Sequence, residues 1–509
     1  MGSTMNTRLR GSIGTASLLF PLAVLFSCSR SSAPGTPSEG IPDLPGIVRQ
    51  ERNVYLMENH NSSYVVWKAL GVTNATVVHL DTHDDSRYCA PDKLAELDAL
   101  AKDRQFEQIH RRSDLWPTFR FETHPTNQLF NLGSFVYPCL ADGTIATFYW
   151  VVPDTELTPR GRNRIYSHLA GSLRLGENTR VSPACGSGFS FPCRGARYVV
   201  TTLDNLPTLP DGALVDFDID FFAFPTAMGS KHLNGKLQHD PADVCALLRE
   251  RVPDPSVVTV SSSIWFGYLP AILRFVPDGC FDFFADGRYP EYPQTLLRLV
   301  TDLRINPRTR PYPAAPTSET YEPAYHHVCG LLDLLRGESE AAGRKFFLAA
   351  GQSEAYCRGL LDAAESFTNM KQFGLAHTAV DQFEKLTGGP STQSLVVRTK
   401  ICLATGALDR ADKLSKRLVD WSRELLFLNL RAVTLTQLGR SREAERIYRE
   451  LIAGMPGHCG NWYNLGVALE RQGRVSEARQ AYTKALELEP GLTAAKNALR
   501  RTGGRGDSK

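Results

Sequence analysis

The C-terminal part of the chain repeats a pattern of small and aromatic residues at an interval of 34 positions, and this repeat constrains the fold more than any other feature. Two successive copies share four residues: Gly439 and Gly473, Ala444 and Ala478, Tyr448 and Tyr482, and Pro456 and Pro490. Small residues let two helices approach closely, and the aromatic residues fill the gap to the next pair. Because no single pair can bury its apolar face alone, the pattern predicts several stacked helical pairs.

The last copy of the repeat carries a fuller signature. Its residues are Asn461-Trp462-Tyr463-Asn464-Leu465-Gly466, Ala478, Tyr482, Ala485 and Pro490. This spacing resembles the tetratricopeptide repeat. Together with weaker copies upstream, it predicts an all-α solenoid of about five helical pairs over residues 320–502 and a disordered tail over 503–509. Such arrays usually bind peptide or protein segments along a concave face, and they carry no chemistry of their own.

The N-terminus has the pattern of an export signal. Two arginines precede an apolar stretch, Ile13–Phe26, that is short for a transmembrane helix. The segment Leu25-Phe26-Ser27-Cys28 resembles the lipobox of bacterial lipoproteins, in which the cysteine is lipidated and becomes the mature N-terminus. The resemblance implies a signal peptide over residues 1–28, with Cys28 as the lipidation site.

The segment that follows Cys28 suits a tether. Residues 29–48 are rich in Ser, Pro and Gly, a composition that cannot bury a core and predicts a flexible linker. Acyl chains on Cys28 would hold the protein at a membrane surface without spanning the membrane. The resemblance, with Ser29 after the cysteine, implies the bacterial cell envelope, at the outer membrane and facing the periplasm or the surface. The alternative is a plain secretory signal that is cleaved nearby.

Charge and cysteine content set limits on function. The 509 residues are 42% hydrophobic and carry a formal net charge of +3, so nothing indicates a nucleic-acid partner. Of the 11 cysteines, ten follow Cys28, and an even number in an exported chain permits disulfides. Cys185 and Cys193 flank a short Gly-Ser-Gly segment and are the best local pair. The cysteine spacings match no zinc-binding pattern, which makes the thiols poor candidates for metal ligands.

Between residues 49 and 312, β-rich runs alternate with helical stretches. The predicted strands are Ala75–Leu80, Thr144–Val152, Tyr198–Thr202, Ala213–Phe222, Val257–Ser261 and Cys280–Phe284. The predicted helices include Asp92–Lys102 and Ala242–Arg251. This alternation predicts an α/β domain with a mostly parallel sheet.

Two of the predicted strands carry clusters of acidic residues. One strand leads directly into Asp81-Thr82-His83-Asp84-Asp85, and another carries Asp216, Asp218 and Asp220 at alternate positions. A strand period of two would turn the alternating residues to one side, where the carboxylates would repel one another. A bound cation is the simplest remedy, and carboxylates mixed with imidazole suit Mn²⁺ or Zn²⁺ better than Ca²⁺. Both clusters are expected at the carboxyl ends of their strands, where open α/β sheets bind ligands.

These motifs resemble a known metal signature. Asp81-x-His83-x-Asp85 followed by Asp218-x-Asp220 is similar to the metal motif of the arginase (ureohydrolase) superfamily, whose fold is shared with histone deacetylases. Glu58-Asn59-His60 lies upstream at the interval where that family places a further histidine ligand. The wider context resembles a branch that includes peptide arginases, which convert arginine side chains within peptides to ornithine. The resemblance implies a three-layer αβα metallohydrolase domain over residues 49–312.

The resemblance also implies a ligand set. The site would hold two ions, with Mn²⁺ expected and Zn²⁺ or Fe²⁺ as alternatives. The six implied ligands are His60 on one ion, His83 on the other, Asp81 and Asp218 as bridges, and Asp85 and Asp220 completing the two sets. The neighbouring residues Asp84 and Asp216 are expected not to be ligands.

Residues for the remaining chemistry are less specific. His124 and His79 are candidates for the general acid, and Asn131 for orienting the substrate, although each has a purely structural alternative. The family holds the guanidinium group with a Glu, but the stretch Val260–Tyr268 contains no acid. Free arginine is therefore a doubtful substrate, and a deacetylase-like reaction with Tyr268 as oxyanion donor stays open.

Three functions follow from these interpretations. The first is hydrolysis of a linear C–N bond, most simply a guanidino group on a peptide or protein substrate. The second is deacetylase-like amide hydrolysis. The third is a non-catalytic envelope scaffold that binds proteins through its repeats.

Overall fold

The computed structural model describes residues 44–114, 116–222, 237–263, 271–301, 303 and 307–503. The signal peptide, Cys28, Tyr268 and most of the linker and tail lie outside these residues. Within them, no helix is both long enough and apolar enough to cross a membrane.

Nine strands of the described residues form one mixed sheet. The strands are β1 Ile47–Glu51, β2 Val54–Met57, β3 Ala75–Leu80, β4 Ile145–Val151, β5 Ser182–Pro183, β6 Phe189–Cys193, β7 Ala196–Thr201, β8 Leu214–Asp218 and β9 Val257–Ser261. Their order is β1-β2-β9-β8-β3-β4-β7-β6-β5. The six strands from β2 to β7 in this order run parallel, whereas β1, β6 and β5 pair antiparallel at the two edges.

Helices cover both faces of the sheet. The helices before β8 are α1 Ser62–Ala69, α2 Pro91–Lys102, α3 Phe106–Ser113, α4 Trp116–Phe119, α5 Val136–Ala141 and α6 Pro159–Ser172. The later ones are α7 Pro241–Arg251, α8 Phe275–Asp286 and α9 Glu291–Thr301. Tyr55, Met57 and Val77 pack with α1–α3, α5 and α6, whereas Leu56 and Val78 pack with α7–α9. Because alternate residues of each strand are buried on opposite faces, the domain has three layers.

Two of the predicted strands need correction. Cys280–Phe284 was predicted as a strand, but it lies inside α8, and that prediction is wrong. A short apolar run fits a buried helix as well as a strand, and here the residues on both sides continue the helix. The predicted strand Ala213–Phe222 is shorter than expected, since β8 ends at Asp218 and a 3-10 turn, Ile219–Phe222, follows.

The C-terminal region is entirely helical between the short turns. Its helices are α10 Glu322–Arg336, α11 Ser339–Gln352, α12 Cys357–Asn369, α13 Phe373–Leu386, α14 Thr392–Thr405, α15 Leu408–Trp421, α16 Leu425–Gln437, α17 Ser441–Gly454, α18 Cys459–Arg471, α19 Val475–Leu488 and α20 Thr493–Gly503. They pack as five successive pairs, and α20 packs against α19. A β-carbon on Gly466 would lie 2.5 Å from the ring of Tyr482, which explains the glycine at this position of the repeat. The prediction of a sheet domain followed by a helical repeat array is confirmed.

The array and the sheet domain share one hydrophobic core. This core runs without a break from Val54 and Leu56 of β2, through α8, to Leu361 of α12 and Ile401 of α14. A second contact lies further along the array, where the guanidinium of Arg120 donates hydrogen bonds to the carbonyl oxygens of Thr387 and Gly388, at 2.7 and 3.0 Å. The first helical pairs are therefore part of the same folded body as the sheet.

The predicted disulfide between Cys185 and Cys193 does not form, and both residues are free thiols. Cys185 lies in the turn that precedes β6, whereas Cys193 is the last residue of that strand. Five residues of extended strand span roughly 15 Å, which is well beyond the Cα separation that a disulfide tolerates. The two cysteines are close in the sequence, but the strand holds them at its opposite ends.

Candidate metal centre

Four neighbouring strands end at the same edge of the sheet and bring the candidate ligands to it. The strands β2, β9, β8 and β3 are adjacent and parallel, so their carboxyl ends meet. His60 follows β2 by three residues, Asp81 follows β3 directly, and Asp218 is the last residue of β8. This edge is where open α/β sheets bind ligands.

The first group of candidate ligands surrounds one nitrogen of His60. Its Nδ1 atom lies 3.2 Å from Asp81 Oδ2, 3.2 Å from Asp85 Oδ2 and 3.3 Å from Asp218 Oδ2. All four side chains are buried. One imidazole nitrogen and three carboxylate oxygens therefore converge on a single point.

The second group surrounds His83. Its Nδ1 atom lies 2.8 Å from Asp220 Oδ2 and 3.4 Å from Asp81 Oδ1. Asp81 therefore faces His60 with one oxygen and His83 with the other. Asp218 lies between the same two groups, because its Oδ2 faces His60 and its Oδ1 accepts a hydrogen bond from the backbone N–H of Asp220 at 3.3 Å. All six residues that the sequence assigned as ligands meet here.

The carboxylate of Asp216 contacts two buried histidines, His60 and His79. The register of the sheet places Asp216 of β8 between His79 of β3 and Thr259 of β9. Asp216 Oδ2 lies 2.8 Å from His60 Nε2 and 2.7 Å from His79 Nδ1. Its Oδ1 accepts hydrogen bonds from the hydroxyls of Ser63, at 2.7 Å, and Thr259. The rings of His60 and His79 stack, with centroids 5.1 Å apart.

This arrangement leaves three buried polar atoms without a hydrogen-bond partner. Asp216 occupies one nitrogen of each histidine, so His60 Nδ1 and His79 Nε2 turn toward Asp81 Oδ2. None of these three atoms has a hydrogen-bond partner among the described residues. A carboxylate that fixes the outer nitrogen of a histidine is the usual support of a metal-binding imidazole. The donor set therefore fits a divalent cation, and His60, His79 and Asp81 form one compact group of donors while Asp81, His83 and Asp220 form another.

The pKa values of these residues reflect the crowding of charge. Burial raises the pKa of Asp81, but the neighbouring imidazoles of His60, His79 and His83 outweigh it, and the net pKa lies well below the ordinary value. Burial and the charge on Asp81 raise the pKa of Asp85 to about 7. Without a cation, the four candidate-ligand carboxylates cannot all ionise at low free-energy cost.

The pKa values of two histidines at the site, His60 and His83, are raised. Burial lowers the pKa of His83, yet the hydrogen bonds and charges of Asp220 and Asp81 raise it to about 12 overall. The pKa of His60 also lies well above its ordinary value, because the charge on Asp216 outweighs burial. Without a cation, this group of carboxylates therefore favours the protonated form of both histidines.

Two residues at the site have an unusual backbone conformation. Asp85 and Ser263 both have positive φ angles, 43° and 47°, although neither is glycine. Ser263 uses this conformation to donate a hydrogen bond from its hydroxyl to Asp218 Oδ2 at 2.6 Å. Backbone strain of this kind is concentrated at functional sites, where the surrounding structure maintains it.

A cleft of about 560 Å³ opens onto the ligands. His83, Asp85, Asp218 and Asp220 form its floor, and its walls include Arg87, Asn131, Trp150 and His168. His168 of α6 lies with Nε2 3.1 Å from Asp84 Oδ1, and the hydrogen bond to Asp84 raises the pKa of His168 above its ordinary value. A histidine that holds a proton more tightly and faces a cleft can donate that proton to a reacting group.

Of the four predicted catalytic residues, one lines the cleft, two do not, and one lies outside the described residues. Asn131 lines the cleft, and its side chain also caps the 3-10 turn Leu132–Ser134. His79 is fully buried behind Asp81 and does not line the cleft, which argues against the general-acid role. His124 is exposed, caps the turn Pro125–Asn127, and lies 5.3 Å from the ring of Trp421, away from the cleft. Tyr268 lies outside the described residues.

Three residues that orient the candidate ligands or line the cleft were not predicted from the sequence. Asp216 was set aside as a non-ligand, but it orients both buried histidines. Ser263 lies in the stretch Val260–Tyr268, for which the sequence indicated only the absence of an acid, and its hydroxyl orients Asp218. The sequence around His168 contains no motif that indicates a functional role, because α6 reaches the cleft only through packing on the sheet. Only Asp216 had a signal in the sequence, namely its place in the alternating aspartate pattern.

The comparisons with known proteins concern the repeats. A family model for the tetratricopeptide repeat matches residues 460–492. Together with the paired helices, this match places tetratricopeptide repeats in the C-terminal region. No curated protein matches the chain.

Several solved structures are similar to the chain. One is YrrB, described as a tetratricopeptide-repeat protein with an unusual peptide-binding site, at 16% identity and a TM-score of 0.28 over 35% of this chain and 91% of that one. A MamA structure is 20% identical, with a TM-score of 0.25 over 29% and 84% of the two chains. The Cut9–Hcn1 assembly of the APC/C is 12% identical, with a TM-score of 0.34 over 52% and 46%.

Proposed function

We propose that this protein is a metal-dependent hydrolase of linear C–N bonds that acts on peptide or protein segments recruited by its repeats. The observation that supports it is the convergence of His60, His83 and four aspartates at one edge of the sheet. Asp81 Oδ2, His60 Nδ1 and His79 Nε2 are buried without a hydrogen-bond partner, and such atoms are costly unless a cation compensates them. Repeats of the tetratricopeptide type generally bind peptides, which supports a macromolecular substrate.

Two divalent cations would be held by two overlapping groups of residues. One group is His60, Asp81, Asp85 and Asp218, and the other is His83, Asp81, Asp218 and Asp220. Mn²⁺ is the expected ion, because imidazole mixed with several carboxylates suits it, and Zn²⁺ and Fe²⁺ are the alternatives. When bound, such ions lower the pKa of water and stabilise the negative charge of a tetrahedral intermediate.

The residues of the chain would perform the remaining steps. Asp216 holds the ring of His60 in one orientation, and Ser263 does the same for the carboxylate of Asp218. His168, whose pKa the hydrogen bond to Asp84 raises, would donate a proton to the nitrogen that leaves when the C–N bond breaks. Asn131, at the wall of the cleft, is positioned to hold a peptide carbonyl group.

The resemblance to peptide arginases favours a guanidino group as the substrate. Ser263 lines the cleft, and the stretch Val260–Tyr268 around it has no acid of the kind with which arginases hold the guanidinium, so the substrate must be held differently. An acylated amine would bind at the same candidate metal ligands. Amide hydrolysis is therefore the alternative reaction.

The reaction can be tested with defined peptides. Mn²⁺-loaded protein is incubated with arginine-containing peptides, and urea is measured. We expect urea release, and we expect Asp218→Asn to abolish it, because this change removes a carboxylate shared by both groups. The matched control is Asp98→Asn, on the exposed face of α2, which should leave the rate unchanged. Release of acetate from acetyl-lysine peptides, with no urea, would assign the amide reaction instead.

A non-catalytic scaffold is the second candidate. It is favoured by the family match at residues 460–492, because tetratricopeptide repeats generally bind peptide or protein partners. In that case the ligand cluster would only stabilise the edge of the sheet. Elemental analysis tests this first, since fewer than about one tightly bound transition metal per chain would argue against the enzyme. Failure of the metal-loaded protein to hydrolyse either class of peptide, with the metal retained, would favour the scaffold.

A further inference from the structure

Glu58 lies where the chain leaves β2, two positions before His60, and it is not one of the candidate ligands. The parallel pairing of β2 with β9 ends at Met57. Two backbone hydrogen bonds continue it beyond the strands. The N–H of Ser262 donates to the carbonyl of Met57 at 3.0 Å, and the N–H of Ser263 donates to the carbonyl of Glu58 at 3.1 Å. The exits of the two strands therefore run side by side toward the candidate metal centre.

Both carboxylate oxygens of Glu58 accept hydrogen bonds. Oε2 accepts one from the hydroxyl of Ser262, and Oε1 accepts two from Arg274, from Nε at 3.0 Å and from Nη2 at 2.8 Å. The remaining arm of the guanidinium, Nη1, donates to Asp278 Oδ2 at 2.8 Å. Because a guanidinium is planar and its donors form a rigid fork, these contacts fix its direction. The carboxylate of Glu58 is thus held between the exit of β9 and the start of α8.

Ser263 has a conformation that needs such support. Its φ angle of 47° lies in the left-handed region, which is unfavourable for a residue with a β-carbon. Its hydroxyl donates to Asp218 Oδ2 at 2.6 Å, and the same oxygen lies 3.3 Å from His60 Nδ1. A strained backbone persists only where its surroundings over-determine it. The residue directly before it, Ser262, is held by β2 and by Glu58 and can provide that constraint.

We infer that Glu58 is a positioning residue of the candidate metal centre. Its carboxylate, fixed by Arg274, holds Ser262 in place. Ser263 then keeps its strained conformation and orients the carboxylate of Asp218. When this support is lost, the candidate ligands remain present but are less well aligned, and the affinity for a cation falls. The inference rests on the proposed function in one respect, the binding of a cation at Asp218.

The alternative is that this ion pair only stabilises the fold, and the array contains a matched group for comparison. Glu384 accepts hydrogen bonds from Arg398 Nε at 3.0 Å, from Arg398 Nη2 at 2.7 Å and from the hydroxyl of Ser394 at 2.7 Å. The Glu384 and Arg398 side chains are 15% and 11% exposed, against 18% and 3% for Glu58 and Arg274. This group joins α13 to α14 within the array. A role in stability alone would make the two groups respond alike.

The first measurement uses the full-length protein without metal. Hydrogen exchange, followed by mass spectrometry, compares residues 257–263 in the native protein and in Glu58→Gln, Ser262→Ala and Glu384→Gln. We expect the amides of Ser262 and Ser263 to exchange about five- to tenfold faster in the first two variants, which corresponds to the loss of one net hydrogen bond. Glu384→Gln should leave this segment unchanged and loosen the start of α14 instead.

The second measurement is the affinity for Mn²⁺ itself, obtained from the electron paramagnetic resonance signal of the free ion. Glu58→Gln and Ser262→Ala should each weaken binding by about tenfold, because loss of a group that orients a metal ligand typically costs about 10–100-fold in affinity. The spectrum of the bound ion should also change, since Asp218 would approach it at a different angle. Glu384→Gln is the matched control and should bind Mn²⁺ like the native protein.

The outcomes separate this inference from the proposed function. The inference is wrong if Glu58→Gln and Ser262→Ala bind Mn²⁺ as tightly as Glu384→Gln, even if urea is released. Unchanged exchange at Ser263 would also overturn it, because the constraint would then not act through this backbone. If the native protein binds no Mn²⁺, the hydrolase is contradicted, and the exchange rates alone decide whether Glu58 positions Ser263.

Weaker Mn²⁺ binding and faster exchange in the two variants, without release of urea or acetate by the native protein, would support the inference and count against the hydrolase. Circular dichroism shows whether each variant is folded. Ser262→Ala removes a single hydroxyl group, so it keeps the test decisive if Glu58→Gln does not fold.

Discussion

The sheet domain and the repeat array differ most clearly in where they keep their charges. In the sheet domain, Asp81 and Asp216 are fully buried, next to two buried histidines. In the array, ion pairs such as Arg474 with Glu477 and Lys484 with Glu487 lie one helical turn apart on the surface. Exposed pairs of this kind contribute little to stability, whereas buried charges are costly unless they are compensated. The sheet domain therefore sacrifices stability at one edge, as a functional site does. The array also buries an acid, Asp333, but pairs it with Arg336 and Lys345.

The two regions also differ in how far apart their partners lie in the chain. Each helix of the array packs mainly on its sequence neighbours, so a repeat interval of 34 residues describes nearly all of its contacts. The candidate metal centre joins residues from His60 to Ser263. A local pattern can therefore predict the array, but only the folded sheet can assemble the site.

The largest expected effect is on metal content. Asp81→Asn should reduce tightly bound transition metal from about two ions per chain to less than one, because Asp81 faces both groups of ligands. Elemental analysis of the purified protein measures the change. Asp98→Asn, a change of the same kind at an exposed position, is the control. Equal metal content in the two variants would mean that the buried charges of the sheet domain are not a metal site.

The next largest effect tests whether the array is separate from the sheet. Leu361 and Leu451 are both fully buried, but Leu361 lies in the core shared with the sheet and Leu451 in the core of the last repeats. Each substitution by alanine should lower the free energy of unfolding by about 2–5 kcal/mol. Hydrogen exchange should show loss of protection in β8 for Leu361→Ala only. Loss of protection in β8 with Leu451→Ala would show that the whole chain unfolds as one unit.

A smaller effect concerns the glycines of the array. Gly466→Ala should cost about 1–3 kcal/mol, because the new β-carbon would lie 2.5 Å from the ring of Tyr482. Gly374→Ala in α13 should instead stabilise by about 0.4–1 kcal/mol, since its β-carbon would meet no atom within 4 Å. Thermal unfolding of both variants gives the comparison. A similar melting temperature for the two variants would contradict close packing as the reason for glycine at position 466.

The smallest expected effect is a pH dependence at the cleft. The hydrogen bond to Asp84 raises the folded-state pKa of His168, so its stabilisation is complete below the unfolded pKa of about 6.5 and is lost as pH rises through the folded pKa. His168 is half exposed, and the contribution should stay below about 1 kcal/mol. Urea unfolding of the native protein and of His168→Gln at pH 6 and pH 9 measures it. The difference in stability between the two proteins should shrink at pH 9, and a constant difference would contradict the pairing.

Much of the organisation follows from the sequence. The interval between Gly439 and Gly473 predicted the helical pairs, because stacking of identical units needs only local contacts. The aspartates at alternate positions in β8 indicated a charged edge of the sheet, because strands have a period of two. Both inferences depend on residues that are close in the chain.

Tertiary structure decided what local patterns cannot encode. The run Cys280–Phe284 became helical because its neighbours extend a buried helix, and Cys185 and Cys193 stay apart because a strand separates them. The support of His60 by Asp216 and the arrival of His168 at the cleft depend on the order of the strands and on helix packing. A cavity between β1, α3 and the turn before α12 forms only because the array shares a core with the sheet. These features arise from contacts between distant segments, and such contacts follow from the packing of the whole chain.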